Sequence, residues 1–163
     1  MADSPLERRA TLRLLAYWEK LRGGRLMPSE RDIKADDIAD LWPSCFLVHG
    51  AGKAPAEYRY SYMGEAVAEI CRFGCEHDSV ALHPQDELQG FAQVFATGKP
   101  LIDEGEFLNA AQEIVRFRRC LLPLGEDGAV QAIFGVARFR LFAQVPLVQL
   151  PVAIPLFMPN ING

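Results

Sequence analysis

The chain has no excess of positive charge, no long hydrophobic run and no closely paired cysteines. Seventeen Lys and Arg stand against twenty-one Asp and Glu, a net charge of −4. The basic footprint with which nucleic-acid binders neutralise phosphate is missing, so no nucleic-acid partner is expected. No stretch approaches the roughly 20 apolar residues that span a bilayer. The first residues, Met-Ala-Asp-Ser-Pro-Leu-Glu-Arg-Arg, carry no apolar run behind their charges. No membrane partner is expected, and the expected location is cytoplasmic, with reduced thiols. The four cysteines, Cys45, Cys71, Cys75 and Cys120, lack the paired spacing of a zinc site, so no metal is expected. Cys71 and Cys75 share a helix face and read as small buried side chains. There is no nucleophile motif, no Gly-rich phosphate loop and no His-Glu-x-x-His run. Gly50-Ala51-Gly52-Lys53 lacks the full phosphate-loop spacing and reads as a hairpin loop. No enzyme is expected.

What is present is an ordinary globular composition, half apolar and about a quarter charged. Residues 5–22 read as a helix capped by Ser4, with Pro5 at the first helical position and Gly23-Gly24 as its stop. Leu14, Tyr17, Trp18 and Leu21 form its apolar face. An irregular link and a short helix at 35–41, ended by Pro43, lead to an apolar strand, Cys45–His49. Glu57–Tyr62 alternates as a strand, with Tyr58, Tyr60 and Tyr62 on one face. Helices follow at 65–73 and 84–96, the second capped by Gly98. Strands are predicted at 100–108, 114–122 and 130–141, with Gly125–Gly128 as the turn between the last two. Asp103, Glu104 and Glu106 mark the first of these as an edge or a solvent face. Two strands, a helical crossing and a three-strand meander predict an α+β fold: a five-stranded antiparallel sheet with short helices on one face. The divisions are 1–24 for the N-terminal helix, 25–142 for the domain and 143–163 for a Pro-rich apolar tail, which is expected to pack in extended form.

The turn fixes a predicted register. With 125–128 as the loop, Leu124 faces Ala129, Arg116 pairs with Ala137 and Arg118 with Gly135. Arg116 and Arg118 then lie on one face, and Arg138 and Arg140 on the other. One set meets an anionic ligand through forked hydrogen bonds, or all four are solvated strand ends bridged to Asp103, Glu104 or Glu106. One face shows Ile114, Cys120, Leu122, Ile133 and Phe139. The other shows Val115, Phe117, Leu121, Phe134 and Val136. Both faces are apolar, so both need cover. The N-terminal helix, the tail or a second subunit supplies it, and a homodimer is expected.

The leading Tyr17-Trp18 and Leu21–Arg25 are followed by Pro28, Arg31, Asp32 and Ile33. Further matching pieces are Phe46-Leu47-Val48, Tyr58-Arg59-Tyr60 with Gly64, Gly98-Lys99-Pro100, Leu122-Pro123-Leu124, Asp127-Gly128 and Gly135. Together, over residues 10–142, they resemble the PAS domain superfamily, in particular short bacterial PAS-like proteins that carry little beyond the domain. The resemblance implies a non-enzymatic sensory or regulatory module acting in trans. Its partners would be a small molecule, a separate signalling protein, or both. It implies a pocket between the sheet and the helices at 65–73 and 84–96, with Tyr60, Ile70, Phe91, Phe95, Arg118 and Phe134 as lining candidates. Arg118 and Phe134 face opposite sides in the predicted register, so at most one lines it. It also implies dimerisation through the leading helix, with Leu14, Tyr17, Trp18 and Leu21 at the contact.

The cofactor is left unknown. Haem is not expected: His49 ends a strand, His77 lies in a connector, and His83 precedes Pro84, which biases it away from helical geometry. Flavin is not expected either, because Ile70 precedes and Gly74 follows Cys71-Arg72-Phe73 where a light-sensing site has other residues. The alternative is a ligand-free interaction or scaffold protein with a filled interior. A small ketosteroid isomerase-like enzyme, using Tyr58, Tyr60 or Tyr62 with Asp78 or Asp86, fits less well, because helices lead in that fold.

Overall fold

The computed structural model describes residues 5–50, 57–71, 85–108 and 112–144, with side chains left undescribed at 5–8, 70–71, 85–88, 107–108 and 142–144. Ser4, Cys75, His77, Asp78, His83 and the tail from Val145 lie outside the described residues. So do the side chains of Ile70, Cys71 and Asp86.

The chain runs α1 (Pro5–Arg22), β1 (Cys45–His49), β2 (Arg59–Met63), α2 (Glu65–Cys71), α3 (Gln85–Thr97), β3 (Leu101–Leu108), β4 (Glu113–Glu126) and β5 (Ala129–Gln144). The link from α1 to β1 holds three single turns of 3₁₀ helix, Glu30–Asp32, Ala35–Ile38 and Trp42–Ser44. The predicted helix at 35–41 is a single 3₁₀ turn, Ala35–Ile38, and Pro43 sits inside the next turn rather than ending a helix. The five strands form one antiparallel sheet in the order β2-β1-β5-β4-β3. β3 is an edge strand, as its acidic residues predicted.

The long β4–β5 ribbon turns on two residues, not four. Asp127 and Gly128 both have positive φ (55° and 78°). A two-residue hairpin of the I′ type requires this, and glycine meets it without steric cost. Beyond the turn the register shifts between Leu124 and Gly125: Gly125 faces Val130, but Leu124 faces Ala132. Gln131 is the extra residue of a β-bulge. The bulge sets even positions of β4 against even positions of β5. Because side chains alternate with period two, this moves the whole β5 set to the face opposite the predicted one. Arg116 faces Arg140, and Arg118 faces Arg138. All four arginines share one face, and Phe134 shares it with Arg118.

A second bulge does the same in β2. Val48 faces Tyr60, but Leu47 faces Tyr62, leaving Ser61 extra. The predicted tyrosine row is split. Tyr60 packs with the inner core, while Tyr62 packs on the other face, stacked on Trp42 at 4.6 Å.

The sheet carries one core on each side. On the inner side, α2 and α3 bring Val67, Phe91 and Val94 against Phe46, Val48, Val115, Phe117, Leu121, Ile133 and Ala137. On the outer side, α1 brings Ala10, Leu14 and Trp18 against Cys45, Leu47, Cys120, Leu122, Leu124, Phe134 and Val136. Trp18 also donates its indole N–H to the Pro123 carbonyl at 2.8 Å. Pro123 lies in β4 past Leu121, where pairing with β3 ends, so its missing N–H costs no described ladder bond there. The Arg13–Asp40 ion pair (2.5 Å) and the Tyr17 hydroxyl, bonded to Asp37 and Lys34, tie α1 to the link.

The face of α1 expected to meet a second copy therefore meets its own sheet. Leu14 and Trp18 are buried within the chain, Tyr17 is committed to the link, and Leu21 is partly buried. Replacing Trp18 with Ala removes packing and a buried hydrogen bond together. It is expected to cost about 3–5 kcal/mol, read as a fall in the urea midpoint. Trp18→Phe, which keeps most of the ring volume but strands the Pro123 carbonyl, is expected to cost about 1–3 kcal/mol.

Candidate functional site

Three of the six predicted lining residues come together on the inner face. Tyr60, Phe91 and Phe95 belong to one aromatic group with Phe46 and Tyr58. Phe46 meets Phe91 edge-on at 6.1 Å and Tyr60 at 5.9 Å. Tyr58 meets Phe91 at 6.4 Å and Phe95 at 5.1 Å. These separations suit ring quadrupoles, which favour tilted and edge-to-face pairs. Burial raises the Tyr58 phenol pKa above its ordinary value, so the hydroxyl stays protonated.

Of the other three, the Ile70 side chain lies outside the described residues, and two fall elsewhere. Phe134 is fully buried on the outer face near Trp42, and Arg118 lies on that face, bridged to Glu104 at 3.4 Å. Neither borders α2 or α3. Arg116 bridges to Glu106 at 2.5 Å, and Arg138 reaches the Ser44 hydroxyl at 3.4 Å. The expected bridges to the β3 acids are present at Arg116 and Arg118.

The inner face instead carries an arginine that sequence reasoning missed. Arg119 of β4 faces Asp103 of β3 directly across the ladder. The guanidinium meets the carboxylate through two bonds, Nε to Oδ1 at 2.7 Å and Nη2 to Oδ2 at 3.0 Å. This is the forked, two-point geometry that makes arginine–carboxylate pairs strong. The Arg119 side chain is 4% exposed, against 27% for Asp103. The guanidinium also sits over the rings of Phe91 (4.8 Å) and Phe117 (5.0 Å). Cation–π attraction is strongest when the cation is out of water, as here.

α3 makes room for this group by a missing side chain. A Cβ on Gly90 would lie 2.5 Å from Arg119 Nη2 and 2.8 Å from Asp103 Oδ2. A glycine inside an apolar helix was the available sign of a close approach. The charged pair itself gave no sign, because residues 103 and 119 become neighbours only through the register.

Among the described residues, no group of three or more His, Cys, Asp or Glu is placed to hold a metal ion. His49 is partly exposed and bonded to Glu30 at 3.1 Å. Cys45 and Cys120 both flank Val136 on the outer face. They are two strand spacings apart, about 10 Å, beyond disulfide reach. A cavity of about 360 Å³ opens at the hairpin tip, lined by Arg25, Leu26, Met27 and Gly125–Gly128. It lies away from the inner face.

Two outcomes follow from this geometry. Gly90→Ala in a helix interior normally stabilises by roughly 0.5–1 kcal/mol. Here it is expected to destabilise by about 1–3 kcal/mol, because the methyl presses on a buried ion pair. A raised urea midpoint in that variant would show that the pair yields. Burial pushes the Cys45 and Cys120 thiols up to about 12 from an ordinary value of 9.0. Their neutral form is the folded form, so their contribution to stability is complete below pH 9 and lost progressively between about pH 9 and 12. In native protein at pH 8, peptide mapping after iodoacetamide is expected to find both unlabelled, and in urea both labelled.

The profile of a PAS domain family matches residues 6–138, from α1 to within β5. Among solved structures, the Rhodobacter sphaeroides LOV protein shares 10% identity over 66% of this chain and 68% of its own, with a TM-score of 0.47. A PAS domain from Colwellia psychrerythraea shares 11% identity over 65% and 96%, with a TM-score of 0.47. The PAS domain of the fruit-fly ELK potassium channel shares 13% identity over 68% and 99%, with a TM-score of 0.49. No curated protein matches the chain. The family profile covers most of the chain, from α1 into β5, and on that ground the chain belongs to the PAS domain family.

Proposed function

We propose that this chain is a non-enzymatic sensory or regulatory module that binds a small molecule on the inner face, between the sheet and α2–α3, and acts in trans on a separate protein. The family supports a sensory or regulatory role in general. The observation that carries the small-molecule reading is the buried Arg119–Asp103 pair. A buried ion pair is a poor device for stability alone, since apolar residues of similar volume often stabilise as well or better. A charged fork held among aromatic rings instead offers the mixture of apolar walls and few polar groups that small-molecule sites show. No helix among the described residues is long and apolar enough to cross a membrane. A cytoplasmic location belongs to the same proposal.

A second reading has its own observation. The described aromatic side chains of the inner face touch one another, as a filled interior would have them. That arrangement favours a scaffold that binds only other proteins, a second copy of the chain included.

Native mass spectrometry of freshly purified protein, with a denatured control, separates the two. A reproducible extra mass released on denaturation is the outcome expected for the sensor. A clean apo mass that persists after incubation with cell-extract metabolites would overturn it in favour of the scaffold. The same spectrum counts subunits.

A further inference from the structure

We infer that the far half of β5 is a docking edge for an extended acidic segment of a partner protein. The segment adds a strand to the sheet and sets a carboxylate against Arg138. This does not rest on the inner-face binding proposed above; it names a second surface and the chemistry of the protein that fits it.

Three observations carry it. First, β5 outruns its neighbour. β1 pairs with it only over Ala132 to Val136, and the residues before Cys45 leave the sheet as the turn Trp42–Ser44. Over residues 137–144, β4 is the one strand beside it among the described residues. Alternate backbone groups of that stretch point away from β4. The stretch is long enough for a strand of about five or six residues. An edge with no strand beside it is a template for strand addition.

Second, the sheet already contains the arrangement. On the other side of β4, Glu104 and Glu106 of β3 stand opposite Arg118 and Arg116 and bridge to them. Acids at alternate positions of one strand meet arginines at alternate positions of the next, because both repeat at about 7 Å. Arg138 and Arg140 repeat the arginines one strand further on, on the same face. Among the described residues, Arg138 has no ion pair. It reaches the Ser44 hydroxyl at 3.4 Å, and its Nε is buried without a hydrogen-bond partner. Asp40 lies within its field but is bonded to Arg13 at 2.5 Å. A partly buried guanidinium so placed gains charge-assisted bonds from a carboxylate brought to its Nη groups.

Third, the opposite face of the same stretch is apolar. Phe139 packs at the margin of the inner core, and Leu141 is 47% exposed. A strand laid here meets arginine on one face and apolar side chains on the other, so it alternates acidic and apolar residues. The same charges select against other occupants. A second copy pairing edge to edge would bring arginine to arginine. The chain's own residues after Gln144 contain no Asp or Glu, and Pro146, Pro151, Pro155 and Pro159 interrupt them.

The test uses the full chain and the peptide acetyl-Thr-Val-Glu-Val-Glu-Val-Thr-amide, with a control in which both glutamates are glutamine. Amide NMR shifts and hydrogen exchange are followed over residues 137–144. The acidic peptide is expected to shift and protect these amides, less so at high salt. The glutamine peptide is expected to bind about fivefold more weakly. Arg138→Gln is expected to weaken the acidic peptide about fivefold and to leave the glutamine peptide unchanged. N-methylation at one of two adjacent central peptide residues is expected to abolish binding, and at its neighbour to spare it, as strand pairing alternates. No binding, equal binding of both peptides, or shifts confined to other residues overturns the inference. That comparison uses the native chain, so it decides even where Arg138→Gln does not fold. Amides protected before any peptide is added also overturn it. Protection independent of protein concentration gives the edge to the chain's own tail, and protection that rises with concentration gives it to a second copy. Failure of the peptide leaves inner-face binding standing, since native mass spectrometry reads that proposal separately.

Discussion

The pairing of β4 with β5 decides which side of the sheet every residue of the long ribbon faces. A strand alternates with period two, so one unpaired residue moves a whole set of side chains through the sheet. Gln131 is that residue. With it in place, Phe134 and Val136 lie under α1 with Cys120 and Leu122, while Ile133 and Ala137 lie under α3 with Phe117 and Leu121. Arg119 is brought to the inner face by the same parity. Its neighbour Arg118 goes outside to Glu104. Without the bulge, the apolar residues of β5 would change sides and neither core would keep its composition.

A sheet apolar on both faces must be covered on both. The two covers differ in kind. α1 covers the outer face with packing, a single indole hydrogen bond and two polar ties to the link. Each fully buried aliphatic or aromatic side chain contributes about 1.5–3 kcal/mol, so Leu14 and Trp18 alone hold the helix down firmly. α3 covers the inner face with a charge in its contact. Phe91 packs on the Arg119 guanidinium, and Gly90 lets the helix approach it. The outer cover is thus mainly apolar packing, with its ion pair at the exposed rim. The inner cover has a buried ion pair in its contact.

Much of the fold was legible because local rules acted alone. Pro5 opens α1 and Gly23 closes it, and β1 stands at its predicted residues. Gly125–Gly128 together suggest a four-residue turn, although the composition of Asp127-Gly128 alone is that of a two-residue one. The loop length does not by itself displace the faces, since a two-residue loop without the bulge also sets even positions of β4 against odd positions of β5. The bulges do. Nothing in the character of Gln131 or Ser61 marks either as an extra residue, because a bulge is fixed by twist and by the two cores competing for the ribbon. The same gap hid the site. Tyr60, Phe91 and Phe95 were found because an apolar face announces itself by period. Arg119 was passed over because four other arginines alternate more neatly beside it.

The placement of charge within the sheet then bears on how the molecule works. Glu104 and Glu106 meet Arg118 and Arg116 on the outer side, where side-chain exposure of 21–66% leaves each pair within reach of water and of salt. Exposed pairs of this kind contribute little, about 0–1 kcal/mol each. Asp103 and Arg119 alternate with them on the same two strands but point inwards, where removal from water strengthens both the attraction and the cost of losing it. One edge strand therefore carries acids of the same chemistry in two regimes, separated only by the pleat. The acids of the outer pairs keep access to water if the pairs break. The inner pair is costly to break. The pair thereby links the position of β3, through Phe91 and Gly90, to the seating of α3.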